Sequence, residues 1–166
     1  MSHSIIARFS DCGRFRHSLI VVWELGKPIL PWLLFNPSKA GQVTDGVAQL
    51  DPTARKGVGF SQRLGFGGMV FVNPYDFIST DPKGLRAAGY PVSPDNDAHI
   101  LKACAMGDGR VVCGWGALGR GLSRPLETLA LIRKAGFKPM ALGFTSDGLP
   151  RHPLMLGYDT ELVEFR

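Results

Sequence analysis

The alternation of apolar and polar positions predicts that the chain opens with two β-strands. Residues 5–10 and 15–24 are rich in β-branched and aromatic side chains, and they flank the short segment Asp11-Cys12-Gly13-Arg14. Asp and Gly favour tight turns, because Asp bonds to nearby backbone groups and Gly tolerates a positive φ. The pattern therefore predicts an amino-terminal β-hairpin.

Beyond this hairpin, short continuous apolar runs alternate with helical segments. Runs of this kind are typical of parallel strands that are buried on both faces. We therefore expect them to form the centre of a sheet. The runs cover residues 29–35, 69–72, 110–113 and 138–142.

Four helices are expected between and around these runs. Three begin where an Asp, Ser or Thr lies next to or near a proline. Such side chains cap the first turn of a helix, and the fixed φ of proline suits that turn. The fourth ends before Gly136 with two basic residues in its last turn, where positive charge suits the helix dipole. The helices are predicted to begin at Asp51, Thr80, Ser93 and about Ser123, and to end near Leu64, Ala88, Ala105 and Lys134.

This order of elements predicts the α/β class. We expect three layers, with a central, mostly parallel sheet of about four strands, helices on both faces and the β-hairpin at one edge. The chain has 166 residues, 45% of them hydrophobic and 20% charged, which excludes disordered, collagen-like and coiled-coil proteins. Without a linker or an internal repeat, residues 1–166 are expected to form a single domain.

The charge balance favours an acidic partner such as DNA or a nucleotide. Lys and Arg outnumber Asp and Glu by 19 to 14, which gives a net charge of +5. No apolar run approaches the ~20 residues of a membrane span, and the first residues lack the features of a secretory signal. The three cysteines have no spacing typical of disulfide frameworks or zinc sites. We therefore expect a cytoplasmic protein with no membrane association, no metal and no cofactor.

Polar side chains and glycines follow all four apolar runs. In open parallel sheets, ligands bind beyond the carboxyl ends of the strands, so a site is expected in these segments. Two alternatives stay open: Asn-Pro pairs also serve simply as turns, and residues 114–119 match a dinucleotide-binding pattern without its usual acidic residue. The segments are Asn36-Pro37-Ser38-Lys39, Asn73-Pro74-Tyr75, Gly114-Trp115-Gly116 and Gly143-Phe144, and the last leads to Arg151-His152-Pro153.

The order of these segments resembles that of the uracil-DNA glycosylase superfamily. The pattern there is Asn-Pro or Asp-Pro after the first strand, Asn closing the second, Trp-Gly after the third and His-Pro beyond the fourth. Nearly the whole chain also looks like a bacterial and phage family catalogued as a domain of unknown function. That second resemblance rests on the segments FSDCGRFR, LFNPSKA, DPTARKGVGFSQRLGFGGMVFVN, SPDND and RHPLML.

The glycosylase resemblance implies hydrolysis of the N-glycosidic bond of a damaged or modified base in DNA. It implies that Asn36 aligns the attacking water, Asn73 reads the flipped base and His152 polarises the base carbonyl. The most active branch of that superfamily has a carboxylate where this chain has Asn36, and Asp45 or Asp51 could supply that charge. Two alternatives are a non-catalytic module that binds nucleic acid or a modified base, and an enzyme that acts on free nucleotides.

Base flipping also requires aromatic stacking surfaces and contacts to the phosphates. Arg120 and Arg124 could contribute a basic face one helical turn apart, and the resemblance implies a hydrophobic wedge a few residues past the His-Pro pair. The further base-binding candidates are Phe60, Tyr75, Phe77 and Trp115. The DNA-binding candidates are Ser38, Lys39, Gly116, Arg120, Arg124, Arg151 and, as the wedge, Leu156.

Overall fold

The computed structural model describes residues 2–38, 43–44 and 47–166. The predicted helices and apolar runs all match observed elements to within a few residues at either end. The strands are β1 (Ser4–Phe9), β2 (Arg16–Val22), β3 (Ile29–Leu33), β4 (Val43–Thr44), β5 (Val47–Ala48), β6 (Gly68–Val72), β7 (Arg110–Cys113), β8 (Lys138–Ala141) and β9 (Val163–Glu164). The helices are α1 (Pro52–Arg63), α2 (Pro82–Ala87), α3 (Asn96–Cys104) and α4 (Ser123–Lys134), with 3-10 turns at Gly116–Gly119 and Pro153–Met155.

The main sheet is mixed and has seven strands in the order β1-β2-β6-β3-β7-β8-β9. The four apolar runs form β6, β3, β7 and β8, which lie side by side and parallel. The other neighbouring pairs are antiparallel. The α/β class and the edge hairpin are therefore confirmed. A mostly parallel sheet of about four strands is wrong, because the hairpin and β9 extend the sheet and make half of its strand pairs antiparallel.

Two hydrophobic cores lie on opposite faces of this sheet, because successive residues of a strand point to opposite sides. Trp32 and Leu33 are consecutive in β3, and both are fully buried. Trp32 belongs to the core that Val58 of α1 completes, whereas Leu33 belongs to the core that Ile100 of α3 completes. Helices therefore cover both faces of the sheet.

Arg16 and His17 lie at a β-bulge in β2. Arg8 pairs with Ser18 and Phe9 pairs with Arg16, so His17 has no partner on β1. Bulges reorient the side chains of the strand that carries them. Arg16 lines a cavity beyond the ends of β3 and β6, whereas His17 stacks on a histidine of α3, as expected for successive residues of a strand that point to opposite sides.

None of the described helices is both long and apolar enough to cross a membrane. A spanning helix requires about 20 residues, and α1 and α4 have 12 residues each. The single domain over residues 1–166 and the cytoplasmic location stay predictions.

Candidate functional site

A cavity of about 100 Å³ lies beyond the ends of β3 and β6. The fold brings three predicted site residues to it from separate parts of the chain: Asn36 after β3, Asn73 after β6, and His152 just before the turn Pro153–Met155. Their convergence was expected from the sequence, because the carboxyl ends of adjacent parallel strands meet at one edge of a sheet. The remaining lining residues are Arg16, Leu34, Phe35, Ser38, Asp51, Thr53, Phe71 and Leu118.

The side-chain amide of Asn36 is fixed by the backbone. Its Nδ2 donates to the carbonyl oxygen of Ser79 at 2.8 Å and to that of Pro37 at 3.2 Å. Both amide hydrogens are therefore used, which leaves Oδ1 as a hydrogen-bond acceptor. A carboxylate at this position would face two carbonyl oxygens without a proton to share, so the local backbone explains why the chain has Asn here.

Asn73 is 2% exposed, and its Oδ1 has no hydrogen-bond partner among the described residues. A buried acceptor without a partner costs about 1–3 kcal/mol. The backbone around Asn73 is well held, because Asn96 Nδ2 donates to its carbonyl oxygen at 2.9 Å and Arg124 Nε donates to that of Pro74 at 2.9 Å. The cavity wall therefore contains a rigidly placed amide whose buried oxygen has no partner among the described residues.

His152 is held as a neutral hydrogen-bond donor. Its Nδ1 accepts from the backbone N–H of Leu154 at 3.2 Å, which places the ring proton on Nε2. Burial lowers the pKa of His152 below its ordinary value, and the opposing influence of the Asp51 charge is smaller. The imidazole is thus uncharged at neutral pH, and its Nε2–H is the polar group available to a ligand.

Asp51 and Arg16 add a fixed pair of opposite charges to the cavity wall. Asp51 Oδ1 accepts from the N–H of Ala54 at 2.7 Å and so caps α1, while Oδ2 accepts from the hydroxyl of Ser38. Arg16 is 3% exposed, and burial lowers its pKa to about 10 against the influence of Asp51. The guanidinium therefore remains charged at neutral pH. Arg16 ends the segment FSDCGRFR that the sequence analysis singled out, but nothing there predicted its burial beside the cavity.

Gly116 controls the position of His152. Its φ is +64°, and a Cβ at this residue would lie 3.2 Å from Cβ of His152. An Ala in the left-handed region costs about 1–2 kcal/mol, and here it would also push on the imidazole. Gly121 has a similar φ of +73° but nothing within 4 Å of an added Cβ.

Gly116→Ala is therefore expected to destabilise the fold by about 1–2 kcal/mol through its backbone strain and to shift the imidazole resonances of His152. Gly121→Ala should cause a similar loss of stability and leave those resonances in place. Urea unfolding and NMR spectra of the two variants make the comparison. Unchanged His152 resonances in Gly116→Ala would show that Gly116 does not position the histidine.

The aromatic residues predicted to contact a base lie outside this cavity. Most of them are core residues, and the rings in the cavity wall are those of Phe35 and Phe71 instead. An aromatic residue near a strand end looks the same in the sequence whether it faces the core or a ligand, so the sequence could not separate the two. The misplaced candidates are Phe60, Tyr75 and Trp115, each less than 5% exposed, and Phe77, which packs edge-on against Phe15.

Arg120 and Arg124, predicted as a basic face, do not line the cavity, and each is paired with a carboxylate. Arg120 precedes α4 and forms an ion pair with Asp147 at 2.6 Å. Arg124 forms an ion pair with Asp97 at 2.6 Å and braces the turn after Asn73. Their role in DNA binding stays a prediction.

The remaining DNA-binding candidates have mixed outcomes. Leu156 is 5% exposed and belongs to a core, so it does not project as a wedge, whereas its neighbour Met155 is 89% exposed. Arg151 is exposed and does not line the cavity. Ser38 lines the cavity and Gly116 adjoins His152, whereas Lys39 and the alternative carboxylate Asp45 lie outside the described residues.

One further group of polar side chains lies apart from these residues. Among the described residues, His17, Asp95 and His99 could together hold a metal ion, because one ligand atom from each lies within 4.8 Å of the others. The sequence analysis found no metal site, since His17 is distant in sequence from the two residues at the start of α3.

Comparisons with known proteins give one match. A family model described as "Protein of unknown function (DUF1643)" matches residues 16–154, a range that includes every described residue of the cavity wall. No curated protein and no solved structure matches the chain. An uncharacterised domain family is therefore confirmed, whereas the resemblance to uracil-DNA glycosylases receives no support from these comparisons.

Proposed function

We propose that this chain, which belongs to the DUF1643 family of proteins of unknown function, binds a nucleobase of DNA in the cavity and hydrolyses its N-glycosidic bond. The observation that carries the proposal is the meeting of Asn36, Asn73 and His152 with the carboxylate of Asp51 around one cavity. These groups supply a hydrogen-bond acceptor, a base-reading amide, a neutral donor and a negative charge. Together they match what cleavage of this bond requires.

Recognition of the base rests on Asn73. A side-chain amide can accept from a base N–H through Oδ1 and donate to an adjacent oxygen or nitrogen through Nδ2, as amides do on base edges. The unpartnered, buried Oδ1 gains the hydrogen bond that the protein does not provide. An enclosed cavity of about 150 Å³ holds a benzene ring, so a cavity of about 100 Å³ with an open mouth favours a single-ring base. We therefore favour a pyrimidine.

Charge stabilisation rests on His152 and Asp51. When the glycosidic bond breaks, the sugar becomes positive and the departing base becomes negative, and preorganised groups lower the barrier most where such charge develops. The Nε2–H of His152 would donate to the base carbonyl oxygen. The carboxylate of Asp51 would face the sugar, and the buried guanidinium of Arg16 would favour the base anion.

Asn36 positions the water that completes the reaction. Its free Oδ1 accepts a hydrogen bond from water, which turns a lone pair of the water towards C1′ of the sugar. As the C1′–N bond breaks and the C1′–O bond forms, the proton of the water passes to Asp51. The base anion then takes a proton from solvent and Asp51 releases its proton to solvent, so the products are a free base and an abasic sugar.

The arrangement of the strands supports the same proposal. The four segments that carry the glycosylase resemblance follow β3, β6, β7 and β8, which are adjacent and parallel. Trp115-Gly116 is therefore close to His152-Pro153, as the contact between Gly116 and His152 illustrates. The exposed side chain of Met155, next to this histidine, replaces Leu156 as the proposed wedge.

The test incubates the protein with single-stranded and duplex oligonucleotides that carry uracil, hypoxanthine or oxidised pyrimidines, and detects abasic sites by alkaline cleavage. We expect abasic product from at least one pyrimidine lesion and none from the double variant Asp51→Asn, His152→Asn, which controls for contaminating glycosylases. DNA binding without abasic product across the panel would favour a non-catalytic binding module. If the protein neither binds DNA nor forms abasic product, the alternative that remains is an enzyme that acts on free nucleotides.

A further inference from the structure

A second polar cluster lies on the opposite side of β2 from the cavity. His17 is the bulged residue of β2 and is 8% exposed, while Asp95 and His99 lie at the start of α3. One ligand atom from each of the three lies within 4.8 Å of the others. Two imidazoles and a carboxylate are a ligand set that first-row transition metals use in proteins.

The geometry around His17 is the independent sign of a metal ligand. Its Nδ1 lies 3.2 Å from Oδ2 of Asp76, a carboxylate that is fully buried. Ser93 holds that carboxylate through its backbone N–H at 2.9 Å and through its hydroxyl. A carboxylate on one nitrogen of a histidine fixes the tautomer and leaves the other nitrogen as a lone-pair donor, which is the usual arrangement behind histidines that bind metals. Nε2 of His17 is therefore the ligand atom.

The other two residues have the freedom to complete the site. Asp95 occupies the N-cap position of α3 but makes no capping hydrogen bond, and its Oδ2 lies 3.2 Å from Nε2 of His99 instead. The rings of His17 and His99 are stacked, with centroids 4.0 Å apart and planes 5° apart. An ion must lie in the plane of each imidazole that binds it, so the ring of His99 has to turn out of the stack. The side chain of Asp95 is 62% exposed and can follow.

Three protein ligands leave open coordination positions, and a second cavity lies beside them. Its volume is about 370 Å³, and His17 and Asp95 form part of its wall. Cys12 lines the same cavity, and hydrogen bonds, chiefly from Ser10, lower the pKa of its thiol to about 7. A thiol of that kind binds metals by itself, so it has to be removed before the histidine cluster is tested.

We propose that His17, Asp95 and His99 bind one divalent transition-metal ion, with Asp76 positioning His17 and with open coordination positions towards the second cavity. The ion would tie the bulge of β2 to the start of α3. The proposal is independent of the chemistry proposed for the first cavity, because the two ligand sets share no residue.

The test uses the full chain with Cys12→Ser, treated with EDTA and titrated with Co²⁺ and then Zn²⁺. We expect one ion per chain by equilibrium dialysis, visible absorption bands with Co²⁺ that Zn²⁺ abolishes, and a rise in the melting temperature with Zn²⁺ that EDTA reverses. His99→Gln and Asp95→Asn should each weaken binding by about tenfold or more, and so should Asp76→Asn. His3→Gln, which alters a histidine outside the cluster, should leave binding unchanged.

His99 and Asp95 lie near the surface, so their variants keep the proposal testable even if Asp76→Asn does not fold. Circular dichroism confirms that each variant is folded before its affinity is measured. Affinity unchanged in both His99→Gln and Asp95→Asn would overturn the proposal, because the ion would then bind elsewhere. Absence of Co²⁺ bands and of dialysis binding in the folded chain would overturn it as well.

Discussion

Asp51→Asn is expected to lower the single-turnover rate of base release by about a hundredfold or more while the chain stays folded. The variant removes the negative charge that faces the sugar. It keeps the helix cap, because Asn caps a helix as well as Asp does and its Oδ1 can still accept from the N–H of Ala54. The expected loss of rate is therefore electrostatic and not structural.

The matched control is Asp81→Asn. Asp81 caps α2 by accepting from the N–H of Lys83 at 2.9 Å, and it does not line the cavity. Asp81→Asn should change the free energy of unfolding by less than about 1 kcal/mol and keep the wild-type rate, whereas Asp51→Asn should destabilise the fold further, because it removes the charge opposite the buried Arg16. If Asp51→Asn releases base as fast as Asp81→Asn does, Asp51 has no part in the reaction.

His152→Asn is expected to have the second large effect, a loss of rate of about a hundredfold. The shorter amide can take the place of Nδ1 and accept from the N–H of Leu154, but it has no donor where Nε2 stood. His152→Gln has the opposite effect, since its longer side chain places the amide donor near the position of Nε2 and leaves no acceptor at the position of Nδ1. We therefore expect Gln to retain more of the rate than Asn, with similar DNA affinity in both variants.

The pH dependence of the wild-type rate tests the protonation state of His152. Because burial lowers its pKa, the imidazole is neutral above its ordinary value of about 6.5. A neutral donor keeps working as the pH rises from 6.5 to 8, so the rate should not fall over this range. A rate that drops about tenfold for each pH unit would show that the imidazolium is the active form, contrary to the role proposed here.

The residues that the sequence predicted well are those whose position follows from the end of a strand. Asn36 and Asn73 follow β3 and β6, whose parallel pairing brings them together. His152 joins them because the loop after β8 folds back, with Gly116 N–H donating to the carbonyl oxygen of Pro150 at 2.8 Å. The four helices were predicted for a similar reason, since their caps and prolines are local features of the chain. Helices and strands that a local sequence pattern defines, and the residues at their ends, can thus be predicted from the sequence.

Residues that depend on tertiary packing were not predicted. Arg16 and His17 line different cavities, and nothing in the apolar pattern shows that these polar residues are buried. The sequence predicted Arg124 as a DNA-binding residue. In the structure its Nε donates a hydrogen bond to the turn after Asn73. The antiparallel extension of the sheet was missed in part because β9 has only two residues, too few to show an alternation.

Titration of the protein with free bases, followed by NMR, tests most directly whether the first cavity is a nucleobase site. Uracil, thymine, cytosine, adenine and hypoxanthine are added in turn, while the side-chain amide of Asn73 and the Nε2–H of His152 are observed. Asn73→Ala is the control, because it removes a buried oxygen that has no partner in the described chain and should not destabilise the fold.

We predict that at least one pyrimidine shifts both signals saturably, with a dissociation constant of about 1 mM or below, which corresponds to about −4 kcal/mol or stronger. Purines should bind more weakly, and Asn73→Ala should lose the binding while remaining folded. If no base shifts the signals of Asn73 and His152 at concentrations up to about 10 mM, well above that expected constant, the cavity is not a nucleobase site.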